Sequence, residues 1–186
     1  MKTRKGDTGT FTQQDYDSGN GMLTDIWGAC QWHVLHTMSF NYPVKPSPEQ
    51  KQWYRNHVQN LVHVLPCGKC RKNLVKNFRK LPLLEKHMES RATFSRYLYE
   101  LHEVVNDMLD KPSGLTYEQV RDRYEQFRSR CTLTPDNHPQ DKKHNGCTEP
   151  LVGEKQKCIL KIVPKTKRCS TFNIDRKCIK TRRVHV

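Results

Sequence analysis

Long apolar runs are missing from this 186-residue chain, in which only 34% of the residues are hydrophobic. No segment approaches the ~18 apolar residues of a membrane-spanning helix, so we expect no membrane span. Residues 1–21 are polar and lack the apolar stretch of a secretory signal peptide. They are therefore predicted to be a disordered leader and not a secretion signal.

Acidic residues are also scarce. The chain holds 19 Asp and Glu against 33 Lys and Arg, which gives a net charge of +14. Such a charge favours acidic proteins, nucleic acid or an anionic membrane surface as partners. A solvated basic surface is the simpler explanation, because no nucleic-acid-binding motif accompanies the charge. The role of the basic charge therefore stays open from the sequence.

Alternating apolar and polar residues, the pattern of a half-buried strand, do not interrupt residues 24–130. Helical spacing predicts five helices there, and Ser47-Pro48 and Thr116 have the character of helix starts. The predicted boundaries are about residues 24–42, 48–65, 67–81, 94–109 and 117–130. The predicted fold class is all-α, a four-helix bundle with a short fifth helix, in a domain spanning residues 22–130.

Cysteine is abundant, and five of the eight cysteines lie in residues 131–186, an extension with 13 Lys and Arg against 5 Asp and Glu. We expect this extension to be irregular, because nothing in it resembles an independent core. A neighbouring cation lowers the pKa of a thiol, and four of these cysteines directly follow one. Structural disulfides and a zinc site are the alternatives to reactive thiols in this extension. The zinc site would use Cys158, Cys169 and Cys178 with His144 or His185.

Cys67-Gly68-Lys69-Cys70 places two thiols two residues apart, directly after Leu65-Pro66 and at a predicted helix start. Unpaired N–H groups and the helix dipole favour the thiolate there. No second CxxC follows at zinc-ribbon spacing, so a closed four-sulfur site cannot be built locally. Spacing alone leaves open a redox pair, half of a zinc site or an idle pair. Cys30, inside the first helix, is expected to be buried.

Two further motifs flank the cysteine pair. Residues 32–43, W-H-V-L-H-T-M-S-F-N-Y-P, resemble the W-x-x-L-H-T-x-A-x-x-Y-P motif of the Erv/ALR family of FAD-dependent sulfhydryl oxidases. Residues 102–111 resemble that family's H-N-x-V-N-x-x-L-x-K motif, with Glu103 in place of Asn. The motif order also matches, over about residues 24–127. Ala29 stands where cellular members of the family usually have Arg, and the chain has no counterpart of their extra disulfide. In this it looks more like the sulfhydryl oxidases of large cytoplasmic DNA viruses.

The resemblance implies that FAD lies inside the helical bundle, which suits a chain without a strand followed by a Gly-rich phosphate loop. It also implies that electrons pass from substrate dithiols through Cys67, the exchanging cysteine, and Cys70, the flavin-proximal cysteine, to FAD and then to O₂, giving hydrogen peroxide. No metal ligand is assigned. Carried over by position, the FAD contacts are Trp32, His36, Tyr42, His102, Val105, Asn106, Lys111, Arg123 and Tyr124, the last replacing a Trp.

Two helical stripes give these residues a physical rationale. Trp32 and His36 lie one turn apart, and His102, Val105 and Asn106 also share a face. If the two stripes face each other, they form a slot with aromatic, amide and imidazole walls that suits a flat polar ring. Taken singly, each histidine is more simply explained as a hydrogen-bonded core residue.

The resemblance further implies a homodimer that acts on thiol-containing proteins, such as viral proteins or a thioredoxin-like carrier. Family members often carry a shuttle cysteine pair on a flexible arm, for which the candidates are Cys131, Cys147, Cys158, Cys169 and Cys178. The expected location is host cytoplasm or virion, with the mitochondrial intermembrane space as the alternative. Two other functions stay open: a zinc-stabilised basic module that binds nucleic acid through the tail, and a flavin-free dithiol–disulfide exchanger, which the missing βαβ pattern disfavours.

Overall fold

Most of the described α-helices of this protein begin at a residue whose side chain caps the helix. The computed structural model describes residues 10–129, 147–148, 150–151, 153–164, 166–168 and 173–180. The helices are α1 (Gln13–Tyr16), α2 (Thr24–Phe40), α3 (Pro48–Val64), α4 (Gly68–Lys80), α5 (Arg91–Met108) and α6 (Tyr117–Glu125), with 3₁₀ turns at Glu85–Met88 and Arg176–Cys178. Within the described ranges there is no strand, only an isolated bridge between Ser129 and Pro150. The predicted all-α class is confirmed.

Two predicted helix starts have the expected chemistry. The Ser47 and Thr116 hydroxyls accept the N–H groups of Gln50 and Gln119, whose side chains bond back to the cap backbone. Each such cap is worth about 1 kcal/mol. α5 begins at Arg91, three residues earlier than predicted, because Ser90 and Thr93 form a further capping box.

α6 ends at Glu125, well before the predicted boundary at residue 130. Phe127 and Arg128 make i→i−3 turn bonds in place of helical ones, and the Arg128 carbonyl then accepts the Leu151 N–H at 2.7 Å. A segment distant in sequence therefore pairs with the backbone that would otherwise have continued the helix. Residue 130 itself lies outside the described residues.

The main core lies where the four long helices meet. α2 packs against α5 and α6, α3 against α4, and α5 against α4 and α6. Burying one such apolar side chain contributes roughly 1.5–3 kcal/mol. The core consists of Leu35, Tyr42, Val58, Leu61, Leu74, Leu83, Met88, Phe94, Tyr97, Leu98 and Leu101. A smaller cluster of Phe40, Tyr117 and Val120 joins α2 to α6.

Cys30 is exposed, contrary to the expectation that it is buried. The buried residues of α2 are Leu35, His36, Ser39 and Phe40. Cys30 lies on another face, at i+4 from Ile26 and i−4 from Val34, and both of those side chains are also exposed. The rotation of α2 against α5, which sequence spacing does not specify, decides which apolar stripe is buried.

The end of α5 turns the chain through a left-handed residue. Asp110 has φ 54°, and Asp110 and Lys111 donate backbone N–H bonds to Asp107 and Asn106 at 3.1 and 3.0 Å. This is the Schellman pattern, which usually has glycine at the left-handed position. The turn places Lys111 just beyond the last carbonyl groups of α5.

Two segments lie outside the bundle, and the structure describes part of each. In the leader, residues 10–21 contain the one-turn helix α1, and residues 1–9 lie outside the described residues, so the predicted disorder there stays a prediction. The described parts of 131–186 meet the end of α6, where Lys180 N–H donates to Gln126 at 2.8 Å. Among the described residues, none of the helices is both long and apolar enough to cross a membrane.

Candidate active site

Cys67 and Cys70 form a disulfide at the first turn of α4, with their Cα atoms 5.2 Å apart. Cys67 is the N-cap residue, in extended conformation, and its Sγ accepts the Cys70 N–H at 3.1 Å. Both residues are half-buried. The predicted helix start at the cysteine pair is therefore confirmed, and the N–H groups and helix dipole there favour negative charge on Cys67 sulfur.

The leader crosses over the cysteine pair. Met22 N–H donates to the Pro66 carbonyl at 2.8 Å, and a Cβ on Gly21 would lie 2.8 Å from the same oxygen. Only glycine permits this close approach. A cavity of about 210 Å³ flanks the pair and is lined by Gly19, Asn20, Gly21, Met22, Pro66, Gly68 and Arg71.

Thr24, the first residue of α2, lies on the other side of the disulfide. Its hydroxyl oxygen is 3.7 Å from the Cys70 sulfur. A hydroxyl can donate to a thiolate, so Thr24 is placed to stabilise Cys70 when the disulfide opens. No signal in the sequence separated Thr24 from an ordinary helix-start residue.

Trp32 and His36 on α2 meet His102 on α5. The Trp32 and His102 rings are stacked, with centroids 4.0 Å apart and 8° between planes. His36 Nε2 and His102 Nδ1 are 2.9 Å apart, a hydrogen bond between the rings. The two predicted stripes thus face each other, but direct ring contact closes the slot that was expected between them. Spacing along a helix gives the face of a residue and not the distance across the interface.

Aromatic rings from α2 and α6 extend this cluster. Tyr124 lies 5.2 Å from His36 and 5.5 Å from Phe40, between ring centroids. His33 contacts both Tyr124 and Phe127. Sequence reasoning missed His33, Phe40 and Phe127. The i, i+3, i+7 spacing of residues 33, 36 and 40 would have indicated the first two.

Burial holds both cluster histidines neutral. Desolvation, with smaller contributions from His102 and His33, lowers the pKa of His36 to about 3. Desolvation likewise lowers the pKa of His102 to about 4 and raises that of Tyr124 to about 12. At pH 7 one imidazole therefore donates to the other. Among the described residues, no group pairs with the buried His36 Nδ1.

This set of side chains fits a flat, polar, aromatic cofactor such as a flavin nucleotide. Indole, imidazole and phenol rings supply stacking surfaces, and His36 Nδ1 is a buried polar atom whose hydrogen bond is not made. Its pairing would remove the penalty of an unsatisfied buried group, about 1–3 kcal/mol. This fit rests on the chemistry of the side chains and not on an open space, because the rings are in contact with each other in this structure.

The other predicted cofactor contacts are spread around the cluster. Val105 and Arg123 are half-buried and Lys111 is exposed, and Asn106 donates to Glu103 at 2.9 Å. Glu103 stands where the family motif has Asn, so the acidic substitution is tied to a neighbouring motif residue. These assignments stay predictions.

Tyr42 lies apart from the ring cluster. It is fully buried in the main core, and its hydroxyl donates to the Met88 carbonyl at 2.9 Å. Its ring packs edge-on against Tyr54 and next to Phe94. Burial raises the pKa of Tyr42 to about 12. These contacts give Tyr42 a structural role, and its predicted contact with FAD stays a prediction.

The tail cysteines differ among themselves. Cys147 is disulfide-bonded, whereas Cys158 and Cys178 are free thiols. Cys131 and Cys169 lie outside the described residues, as do His144 and His185 of the alternative zinc site. Across the described parts of the chain, no group of three or more His, Cys, Asp or Glu is placed to hold a metal ion.

The low pKa values of His36 and His102 predict that the folded protein loses stability in acid, beginning at pH values above those at which carboxylates titrate. Between pH 6.5 and about 4 the unfolded chain protonates His36 and His102 while the folded chain does not. Stability must then fall as pH falls, by up to about 1.4 kcal/mol per pH unit for each group. We expect the urea midpoint to drop between about pH 7 and about pH 5.

His102→Gln removes one of these groups and should flatten the pH dependence of the midpoint. His63→Gln, at an exposed position on α3, is the matched control and should leave it unchanged. A midpoint that stays constant from pH 7 to 5 in the unsubstituted protein would contradict the neutral-histidine assignment.

Known proteins resemble this chain in sequence and in fold. The model of the Erv1/Alr family matches residues 29–125. A probable FAD-linked sulfhydryl oxidase of Acanthamoeba polyphaga mimivirus is 33% identical over 114 residues, 61% of this chain and 76% of that protein. The mitochondrial FAD-linked sulfhydryl oxidase of Saccharomyces cerevisiae is 32% identical over 85 residues, 46% of this chain and 43% of that protein. The chain thus spans less than half of the yeast relative.

Solved structures agree with these matches. The yeast Erv1 core has a TM-score of 0.50 and 24% identity, over 66% of this chain and 96% of that one, which supports the fold. The FAD binding domain of Erv1 from Saccharomyces cerevisiae has a TM-score of 0.50 and 28% identity, over 55% and 94%. Because the family model covers more than half of the sequence, this chain belongs to the Erv1/Alr family.

Proposed function

We propose that Cys67 and Cys70 are the redox pair of an FAD-linked sulfhydryl oxidase that forms disulfides in protein substrates. The observation that carries this assignment is a CxxC disulfide at the first turn of a bundle helix, in a chain of the Erv1/Alr family. The yeast relative is named as an FAD-linked sulfhydryl oxidase and the mimivirus relative as a probable one. The catalytic domain in this proposal is residues 22–130. A zinc-stabilised nucleic-acid module and a flavin-free exchanger are not favoured.

The first step is thiol–disulfide exchange. A substrate thiolate attacks Cys67 Sγ, the bond between substrate sulfur and Cys67 forms, and the Cys67–Cys70 bond breaks. The electron pair leaves with Cys70, whose thiolate can accept a hydrogen bond from the Thr24 hydroxyl, 3.7 Å away in the disulfide state. Cys67 suits exchange because its two chain neighbours, Pro66 and Gly68, line the cavity beside the pair.

The second step releases the oxidised substrate. The second substrate thiolate attacks the substrate sulfur of the mixed disulfide, so that a substrate disulfide forms and Cys67 leaves as thiolate. Cys70 N–H and the α4 dipole stabilise that leaving group. The two electrons then reside on the reduced pair. Bound FAD supplies the two-electron acceptor that restores the disulfide, and we propose O₂ as the final acceptor, giving hydrogen peroxide.

The ring cluster is the proposed FAD site. Trp32 and Tyr124 offer stacking surfaces, His36 offers its unpaired Nδ1, and Lys111 and Arg123 offer cations for the diphosphate. α2 joins this cluster to the redox pair, because Thr24 contacts Cys70 and Trp32 follows eight residues later, about 12 Å along the helix. FAD bound at the cluster would therefore have to extend about 12 Å along α2 to meet the Cys70 sulfur.

The substrates in this proposal are proteins that carry reduced cysteine pairs. The mimivirus and yeast mitochondrial relatives agree with either a viral or a mitochondrial setting. We propose host cytoplasm or virion, because a mimivirus protein is among the relatives and no cysteine lies between Cys70 and Cys131 to form the extra disulfide of cellular members. The extension of residues 131–186 would supply shuttle cysteines, for which Cys158 and Cys178 are free in the described part.

Replacing either cysteine tests the redox assignment. Cys67→Ser and Cys70→Ser should lower oxygen consumption with a small dithiol by more than about a hundredfold, because neither variant can form the disulfide. Both should keep bound flavin, since neither residue lies in the ring cluster. Cys30→Ser, at an exposed thiol on α2, is the control and should retain full activity. Normal oxygen uptake by Cys70→Ser would show that another pair does the chemistry.

Replacing a cluster histidine tests the cofactor site. His102→Ala removes the stacking partner of Trp32 and the hydrogen bond to His36. FAD should bind about tenfold more weakly or worse, since 1.4 kcal/mol corresponds to that factor. The 450 nm absorbance of purified protein and flavin titration of the apoprotein measure this. His63→Ala is the exposed control. Unchanged FAD affinity in a folded His102→Ala variant would remove the cluster from the site.

We also propose a homodimer formed through α2 and α3. α2 leaves Ile26 38% and Val34 49% exposed, and α3 leaves Trp53 66% exposed. Val34→Glu and Trp53→Glu should each shift the mass measured by light scattering toward the monomer. Leu84→Glu, at an equally exposed apolar residue between α4 and α5, should not. A monomeric unsubstituted protein at micromolar concentration would rule the proposal out.

A further inference from the structure

One face of α4 is positively charged along its whole length. The helix carries six cations and no acidic residue. Five of the cations are exposed: Lys69, Lys72, Lys76, Arg79 and Lys80. At 3.6 residues per turn their side chains fall within an arc of about 100°, opposite the buried Leu74. We call these five residues the α4 basic face.

No described carboxylate neutralises the α4 basic face. The sequence has no Asp or Glu between Glu49 and Glu85, and Glu85 is held by Lys51 and Arg55 on α3. None of the five cations forms an ion pair with any of the described residues. Arg71, the sixth cation of α4, is bonded instead to the Leu65 carbonyl. The positive field around the helix is therefore not cancelled locally.

Part of this charge pattern opposes the stability of α4, although Arg79 and Lys80 lie in the last turn, where the helix dipole favours cations. Lys72 and Lys76, and likewise Lys76 and Lys80, are like charges four residues apart, an arrangement that destabilises a helix. Lys69 lies in the first turn, where the helix dipole disfavours a cation. A surface that opposes helix formation in several places calls for another explanation.

The α4 basic face begins at the redox pair. Lys69 stands between the two cysteines, and the other four cations follow along the helix that starts there. We infer that this face docks acidic segments next to the cysteines of protein substrates, an inference that rests on the proposed function. Positive charge beside the disulfide would attract such segments and hold the substrate thiol near Cys67.

The occupant is an acidic protein segment and not the chain's own extension. Residues 131–186 carry a net charge of +8, so they would be repelled by the α4 basic face. Nucleic acid is the other polyanion that such a face could attract. A protein is favoured over nucleic acid as the occupant because the cations adjoin the disulfide with which substrate cysteines must react. Nucleic acid has no thiol that could react at this position.

Two dithiol peptides of equal length test this inference with the full-length holoprotein. One has Glu and Asp around its cysteine pair, and the other has Gln and Asn. Oxygen uptake should show about tenfold higher kcat/KM for the acidic peptide at low ionic strength. The preference should collapse in about 0.5 M salt, where the Debye length is only a few ångströms.

The charge-reversal variant Lys72→Glu/Lys76→Glu should abolish this preference and change the rate with the neutral peptide by less than about twofold. Its helical stability should not decrease, because a carboxylate at position 76 attracts Lys80 and one at position 72 attracts Lys69, which offsets the repulsion between the two new carboxylates. Lys45→Glu/Lys86→Glu, with the same charge change at two exposed cations away from α4, should retain the preference. This control separates a local surface from net charge.

The outcomes are distinguishable. Failure to oxidise any dithiol would overturn the proposed function itself. Equal kcat/KM for the two peptides in an active protein would overturn the docking inference alone. Binding of the same variants to a duplex DNA probe supplies the third outcome. If reversal on α4 weakens DNA binding but leaves the peptide preference intact, the face belongs to nucleic acid and the inference is wrong.

Discussion

The packing of α2 against α5 is the constraint on which both parts of the proposed site depend. α2 carries Thr24 beside the Cys70 sulfur at its start and Trp32, stacked 4.0 Å from His102, two turns later. An α-helix transmits position along its axis because every residue advances it by about 1.5 Å. The hydrogen bond between His36 and His102 joins α2 to α5 within this interface. A shift in this one interface would therefore displace the ring cluster and the neighbour of the redox pair together.

Local chemistry made most of the fold predictable. Ser47 and Thr116 begin their helices through hydrogen bonds to residues three positions later. A short stretch of sequence is therefore enough to predict each start. The start of α5 was placed late because Thr93, at the position where Glu or Gln is the usual signal, completes the box with Ser90. The end of α6 depends on pairing between Arg128 and Leu151, which are distant in sequence. No local pattern contains that information.

The sequence predicted which residues of the candidate site share a helix face, but only part of the ring cluster. Periodicity correctly placed Trp32 and His36 on the face of α2 that meets His102 of α5. It could not show that the rings touch, because the separation of two helices depends on every side chain in their interface. Tyr42 shows the same limit from the other direction. Its position in the motif predicts a place in the site. In the structure its ring instead packs against Tyr54 of α3 and its hydroxyl donates to the Met88 carbonyl, so it lies in the core.

The redox pair also occupies the capping position of its helix. α3, α5 and α6 are capped by hydroxyl oxygens, whereas the cap of α4 is the Cys67 sulfur. Neutral sulfur is a weak acceptor, so this cap is weak while the disulfide is intact. A thiolate is a charged acceptor at the positive end of the helix dipole, so reduction strengthens the bond from Cys70 N–H. The geometry that begins α4 thus stabilises the reduced pair, and the charge of Lys69, between the two cysteines, acts in the same direction. Helix start, thiolate stability and substrate attraction consequently depend on the same few residues.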